Sequence, residues 1–104
     1  MAVEQGELYS DVTDVPTAGT AVAIGTAKMR IKYLIARSPD TNTGKVYIGN
    51  KAGDVSLTTG FPLAVGDTII LPFDGSIGGD QIFVDAEVSG NDVAWIATRA
   101  LAAR

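Results

Sequence analysis

Apolar and polar residues alternate with a period of two through much of the chain beyond Thr20, in short runs broken by Gly, Asp, Asn and Pro. Such alternation sends successive side chains to opposite faces of an extended backbone, and short runs with regular breaks predict a sandwich or barrel. The clearest run is residues 27–37. Met29, Ile31, Tyr33 and Ile35 fall on one side, which is expected to face the core; Lys28, Arg30, Lys32, Leu34 and Ala36 fall on the other. That second side begins basic and ends apolar, so the strand should pass from an exposed stretch into a covered one. Residues 45–49 set Val46 and Ile48 inward and Tyr47 outward, and Val55 and Leu57 mark a further short strand. In residues 67–73 Ile69, Leu71 and Phe73 share a side, while Pro72, which has no amide proton, places this strand at an edge or end, with Asp74-Gly75 as the following turn.

Residues 81–88 direct Ile82, Val84, Ala86 and Val88 inward and Gln81, Phe83, Asp85 and Glu87 outward. Ser89-Gly90-Asn91 predicts a short hairpin connection into residues 92–98. This last strand is apolar on both faces, Val93, Trp95 and Ala97 against Ala94 and Ile96, as a strand covered on both sides would be. Residues 99–104 suit either one helical turn or an extension of the strand into a partner. About eight short strands predict an all-β class, a small antiparallel β-sandwich of jelly-roll type over residues 20–104. Residues 1–19 show no sustained period and are expected to form an extended N-terminal arm.

Composition narrows the chemistry. A chain of 104 residues, 46% hydrophobic and 19% charged, has the makings of one globular domain and not of a disordered segment. It contains no Cys and no His, which removes disulfides, thiolate and imidazole metal sites, cysteine nucleophiles and the commonest general base. An enzyme is therefore not expected. Net charge is -4, against the clustered cations of a nucleic-acid binder. The longest apolar window, residues 20–36, is interrupted by Lys28, Arg30 and Lys32, so no membrane span is expected, and an N-terminus without a basic leader predicts no export signal.

The candidate motifs resolve into structural ones. Residues 19–28 lack the glycine–lysine spacing of a phosphate loop. Asp40-Thr41-Asn42-Thr43-Gly44 resembles the start of a calcium loop, but its glycine comes one position early and Lys51 stands where a bidentate Glu is needed, so a turn held by Asx hydrogen bonds is expected. Gly78-Gly79-Asp80 is a single copy of a pattern that binds calcium only when stacked, and reads as a flexible loop. Asp85 and Glu87 share a strand face, the ordinary mark of a solvated surface. No metal and no cofactor are expected.

What remains is surface for association. Glu4, Glu7, Asp11 and Asp14 lie in a stretch with no basic residue, whereas Lys28, Arg30, Lys32 and Arg37 bring four of the eight basic side chains close together. An acidic arm docking on the basic strand of a neighbouring copy is the sharper reading of this asymmetry; a solvated face that deters edge pairing is the plainer one. Tyr47 and Phe83 fall outward by period-two counting, and with Trp95 they are candidates for a subunit interface or a sugar-stacking platform.

The order of residues carries a further clue. Asn42-Thr43-Gly44-Lys45-Val46-Tyr47-Ile48-Gly49, Val55-Ser56, Gly60-Phe61-Pro62-Leu63-Ala64-Val65-Gly66-Asp67-Thr68-Ile69-Ile70-Leu71, Ile82-Phe83-Val84-Asp85-Ala86 and Ser89-Gly90-Asn91-Asp92-Val93-Ala94-Trp95-Ile96 follow one another. This succession, over about residues 27–97, resembles small virion proteins of tailed bacteriophages. The resemblance implies a compact β-sandwich that decorates or cements the head shell, often as a homotrimer. Its partner would be the major capsid protein, and it would sit on the virion surface after synthesis in the bacterial cytoplasm. It assigns no contact residues, and residues 1–19 lie outside it. The alternative expectation is a carbohydrate-binding or tail-fibre adhesion module.

Overall fold

A computed structural model describes residues 6–50 and 59–100. Among these the chain forms eight strands: β1 (Gly6–Asp14), β2 (Val22–Ala23), β3 (Arg30–Arg37), β4 (Val46–Asn50), β5 (Phe61–Leu63), β6 (Thr68–Gly78), β7 (Ile82–Ala86) and β8 (Asp92–Ala100). They build two four-stranded sheets, β1-β8-β3-β6 and β2-β7-β4-β5, in which every pairing is antiparallel. Only β4 and β5 are consecutive neighbours in one sheet; each other connection crosses to the opposite sheet. Two facing sheets wound in this way form a jelly roll, and the expected all-β sandwich is the fold observed.

The inward faces supply the core. Ile31, Leu34 and Ala36 of β3, Val93, Trp95 and Ala97 of β8, and Ile82, Val84 and Ala86 of β7 pack with Val46, Ile48 and Leu63. Each fully buried Ile, Leu or Val here contributes about 1.5–3 kcal/mol relative to exposure. β6 is the free edge beside β3, as Pro72 requires. Its Ile69, Leu71 and Phe73 pack against this core as expected, but the strand continues through Gly75, at φ 91, to Gly78 instead of ending in a turn at 74–75.

Four further expectations are corrected. Residues 6–14 are not a free arm: β1 pairs with β8 along its whole length without a shift in register. Within β3 the pairing shifts between Ile31 and Tyr33, so Lys32 is an extra residue and the alternation reverses after it. Leu34 and Ala36 therefore face the core while Tyr33 and Ile35 face out. The connection at residues 89–91 is a turn, with Gly90 at φ 88, yet β7 and β8 lie in different sheets, so it is a crossover between sheets and not a hairpin. Val88, expected inward, lies beyond the end of β7 and is exposed.

Buried polar side chains pin the crossovers. Asn42 Nδ2 donates to the Asp92 carbonyl at 2.7 Å, and its Oδ1 accepts from the Asp92 amide at 2.8 Å. Asn91 Oδ1 accepts from the Thr43 and Gly44 amides at 3.1 and 3.0 Å. The turn formers of the β3–β4 loop are thus bound to the start of β8, the structural use of the calcium-like motif. Gly79 seats against the Gly25 backbone, where a Cβ would lie 3.0 Å from the Gly25 Cα. Close backbone approach, not loop flexibility, accounts for that glycine.

Candidate interaction surface

Sheet register places three rows of side chains on the outward face of the β1-β8-β3-β6 sheet. Leu8, Thr98, Tyr33 and Pro72 lie in register in one row, Ser10, Ile96, Ile35 and Ile70 in the next, and Val12, Ala94, Arg37 and Thr68 in the third. Six large apolar side chains stand exposed here: Leu8 is 67% accessible, Ile70 64%, Val12 54%, Tyr33 52%, Ile35 39% and Ile96 36%. Arg37 is the one charged member of these rows, and its guanidinium pairs with Asp40 at 3.1 Å. A shallow depression of about 440 Å³ is lined by Ser10, Asp11, Val12, Ile35, Arg37, Ala94, Trp95 and Ile96. Single exposed apolar residues are ordinary on a protein surface; a contiguous field across four strands marks a contact surface.

Polar groups frame the rows at both ends. Asp14 lies directly opposite Asp92 at one end. Partial burial raises the Asp92 carboxyl above its ordinary range, and a hydrogen bond and repulsion from Asp14 add to this. At the other end lie Lys28, Arg30 and Lys32, all exposed. Arg30 is structural as well as charged: its guanidinium donates to the Gly75 carbonyl at 3.3 Å, to the Ala27 carbonyl at 3.3 Å and to the Ser76 carbonyl, holding the far end of β6.

The structure separates the predicted site residues. Glu4 lies outside the described residues, and nothing is described of the Glu7 side chain beyond the position of its backbone in β1. Asp11 and Asp14 belong to a strand integral to the sheet. Trp95 is only 5% accessible; it points into the core, where its Nε1 donates to Thr13 Oγ1 at 2.9 Å. Tyr47 does face out, from the other sheet, but is buried. Phe83 is half-buried on that same face. These three rings form no common platform.

The outward face of the β2-β7-β4-β5 sheet is covered in part, around Asp85 and Tyr47, while Pro62 beside Tyr47 is exposed. Asp85 is fully buried there, and its Oδ1 accepts from the Gly19 amide at 2.9 Å and from the Ala86 amide at 2.8 Å. The β1–β2 connection is further tied by the Ala18 amide to Ser89 Oγ at 2.9 Å. Asp85 is thus a structural acceptor, and its burial sets it apart from the exposed Glu87. An apolar cleft of about 420 Å³ between the sheets is lined by Ile48, Phe61, Leu71, Phe73, Ile77 and Ile82 among others. It offers apolar walls and no cluster of reactive groups.

Leu8, Val12, Tyr33, Ile35, Ile70 and Ile96 were not among the residues singled out from the sequence as a site. The signal that could have found them was the apolar second face of β8, with Ile70 opposite Ile69 and Leu71 on β6.

No family model matches this chain, and no curated protein matches it. Among solved structures it is similar to a protein described under "Bacillus endospore appendages form a novel family of disulfide-linked pili". The likeness has 17% sequence identity and a TM-score of 0.52, and covers 97% of this chain and 93% of the other. It supports the class of fold, a small antiparallel β-sandwich, and nothing finer. This chain contains no cysteine with which to form a disulfide.

Proposed function

We propose that the chain is a non-enzymatic structural subunit of a tailed-bacteriophage particle, of the head-decoration or cement type. One observation carries the assembly part of this reading: the outward face of β1-β8-β3-β6 exposes six large apolar side chains in register, while on the opposite sheet Asp85 and Tyr47 are buried and the chain's own connection is bonded to Asp85. The phage context rests on the succession of turn and strand residues over 27–97. A subunit that binds only the assembled shell stabilises it by mass action, and several copies acting together turn modest contacts into a durable clamp. The major capsid protein is the partner this reading requires.

The test is co-sedimentation of the purified protein with the capsids of the phage that encodes it, followed by heating of the bound and bare shells. Stoichiometric binding and a raised disruption temperature are expected; capsids that neither bind the protein nor gain resistance overturn the phage assignment. A filament subunit is the second reading, favoured by the fold shared with a pilus protein. Electron microscopy of the concentrated protein decides it, since regular filaments without any shell would replace the decoration role.

A further inference from the structure

Resting on the assembly reading for its face but not on the particle, we infer that the outward face of β1-β8-β3-β6 is a self-complementary dimer surface. Two copies pack face to face across a two-fold axis lying perpendicular to the strands.

The first argument is charge. The chain carries a net charge of -4, so two copies repel each other overall, whereas the three rows on this face contain one charged residue, Arg37, already paired with Asp40, with Asp11 at the edge of the depression. The apolar field is the part of the surface on which like molecules meet without that repulsion.

The second argument is polarity along the strands. β1 and β3 are both antiparallel to β8 and hence run in the same direction, so Arg30 and Lys32, with Lys28 just before the strand, lie at one end of the face and Asp14 and Asp92 at the other. A two-fold axis parallel to the strands would lay basic end over basic end. An axis perpendicular to them reverses the strands, places each basic end over its partner's acidic end, lays each strand over its own copy, and stacks the central row on itself while the two outer rows exchange. An isologous contact needs a surface complementary to itself, and this face is so in one orientation only.

The third argument is size. Four strands at about 4.8 Å spacing and nine residues long at about 3.4 Å rise span roughly 600 Å² per copy. Two copies then bury roughly 1,200 Å², at the lower bound of a specific interface. A contact of this size belongs with weak, reversible associations.

Sedimentation analysis of the full chain from about 1 to 500 μM tests this. Reversible dimerisation is expected. A monomer throughout, or a trimer, overturns the inference while leaving the shell-binding test of function untouched. Ile35→Lys, at an already exposed position, should keep the circular dichroism of the native protein and weaken association about 100-fold or more. Unchanged association would show that this face is not the contact. Lys32→Glu separates the two axes: it should weaken the dimer about 5-fold, and tightening would overturn the perpendicular arrangement. Because the chain has no cysteine, Ser10→Cys and Ile70→Cys report the geometry directly. With a bifunctional maleimide spanning roughly the 10 Å between stacked sheets, each variant should crosslink to itself. Crosslinking only when the two variants are mixed would instead mean a parallel axis.

Discussion

The outward faces of the two sheets obey the same alternation and meet different fates. On β2-β7-β4-β5, Tyr47 and Asp85 point away from the core and are buried all the same, and the β1–β2 connection gives the Gly19 amide to Asp85. On β1-β8-β3-β6, Tyr33, Ile35, Ile70 and Ile96 point away from the core and stay exposed, because no described segment crosses them. On one face outward side chains are buried within the protomer, and on the other they are exposed. Outward by alternation and exposed to solvent are therefore separate properties, and the polar residue sits on the covered side.

Substitutions on the two sides of β3 should break this contrast most strongly. Leu34→Ala removes a fully buried side chain and should cost about 2–5 kcal/mol in urea unfolding. Ile35→Ala, one residue along on the open face, should change stability by less than about 0.5 kcal/mol. Equal losses would mean that the face is covered within the protomer. Next in size is Asp85→Ala, which removes the acceptor of the Gly19 amide. It should cost about 1–3 kcal/mol and speed hydrogen exchange at Gly19, sharpening the claim that this connection is bonded to the sheet through Asp85.

Trp95→Phe should cost about 1 kcal/mol through loss of the bond to Thr13 and leave the oligomeric state unchanged; a change in assembly without a loss of stability would return Trp95 to the interface. The smallest effect belongs to Asp92, whose carboxyl is raised by partial burial and by Asp14. A carboxyl raised in the folded state binds its proton more tightly there than in the unfolded chain. Its neighbourhood is most stable below the ordinary value of 3.8 and loses that contribution as pH climbs through the raised one. Asp92→Asn should thus raise Tm slightly at pH 7 and give no gain at pH 3, read by thermal unfolding at both.

The sequence reading succeeded where a local rule was sufficient. Pro72 announced an edge strand, and Ile69, Leu71 and Phe73 the packed side of β6; β8, read as covered on both faces, buries Val93, Trp95 and Ala97 but leaves Ile96 exposed. It failed wherever one residue changed the phase or a distant partner decided the outcome. Lys32 is a bulge, and a single inserted residue exchanges the faces of everything after it, which is why Tyr33 and Ile35 were assigned to the core. Residues 6–14 lack a strong period because an edge strand meets β8 on one side only, so their polar positions carry little penalty. The turn at Gly90 was legible as a turn. Which sheet received the returning strand was not, since turn chemistry reverses the chain without choosing its hydrogen-bond partner.

The sequence by itself determined the class of this protein: alternation of period two, punctuated by turn residues, left an antiparallel β-sandwich. Tertiary structure alone decided which of the alternating faces is core, which is covered in part and which is open, because those outcomes depend on pairings across the chain. Asp85 with Gly19 and Asn42 with Asp92 are separated by tens of residues, and no local pattern encodes their meeting.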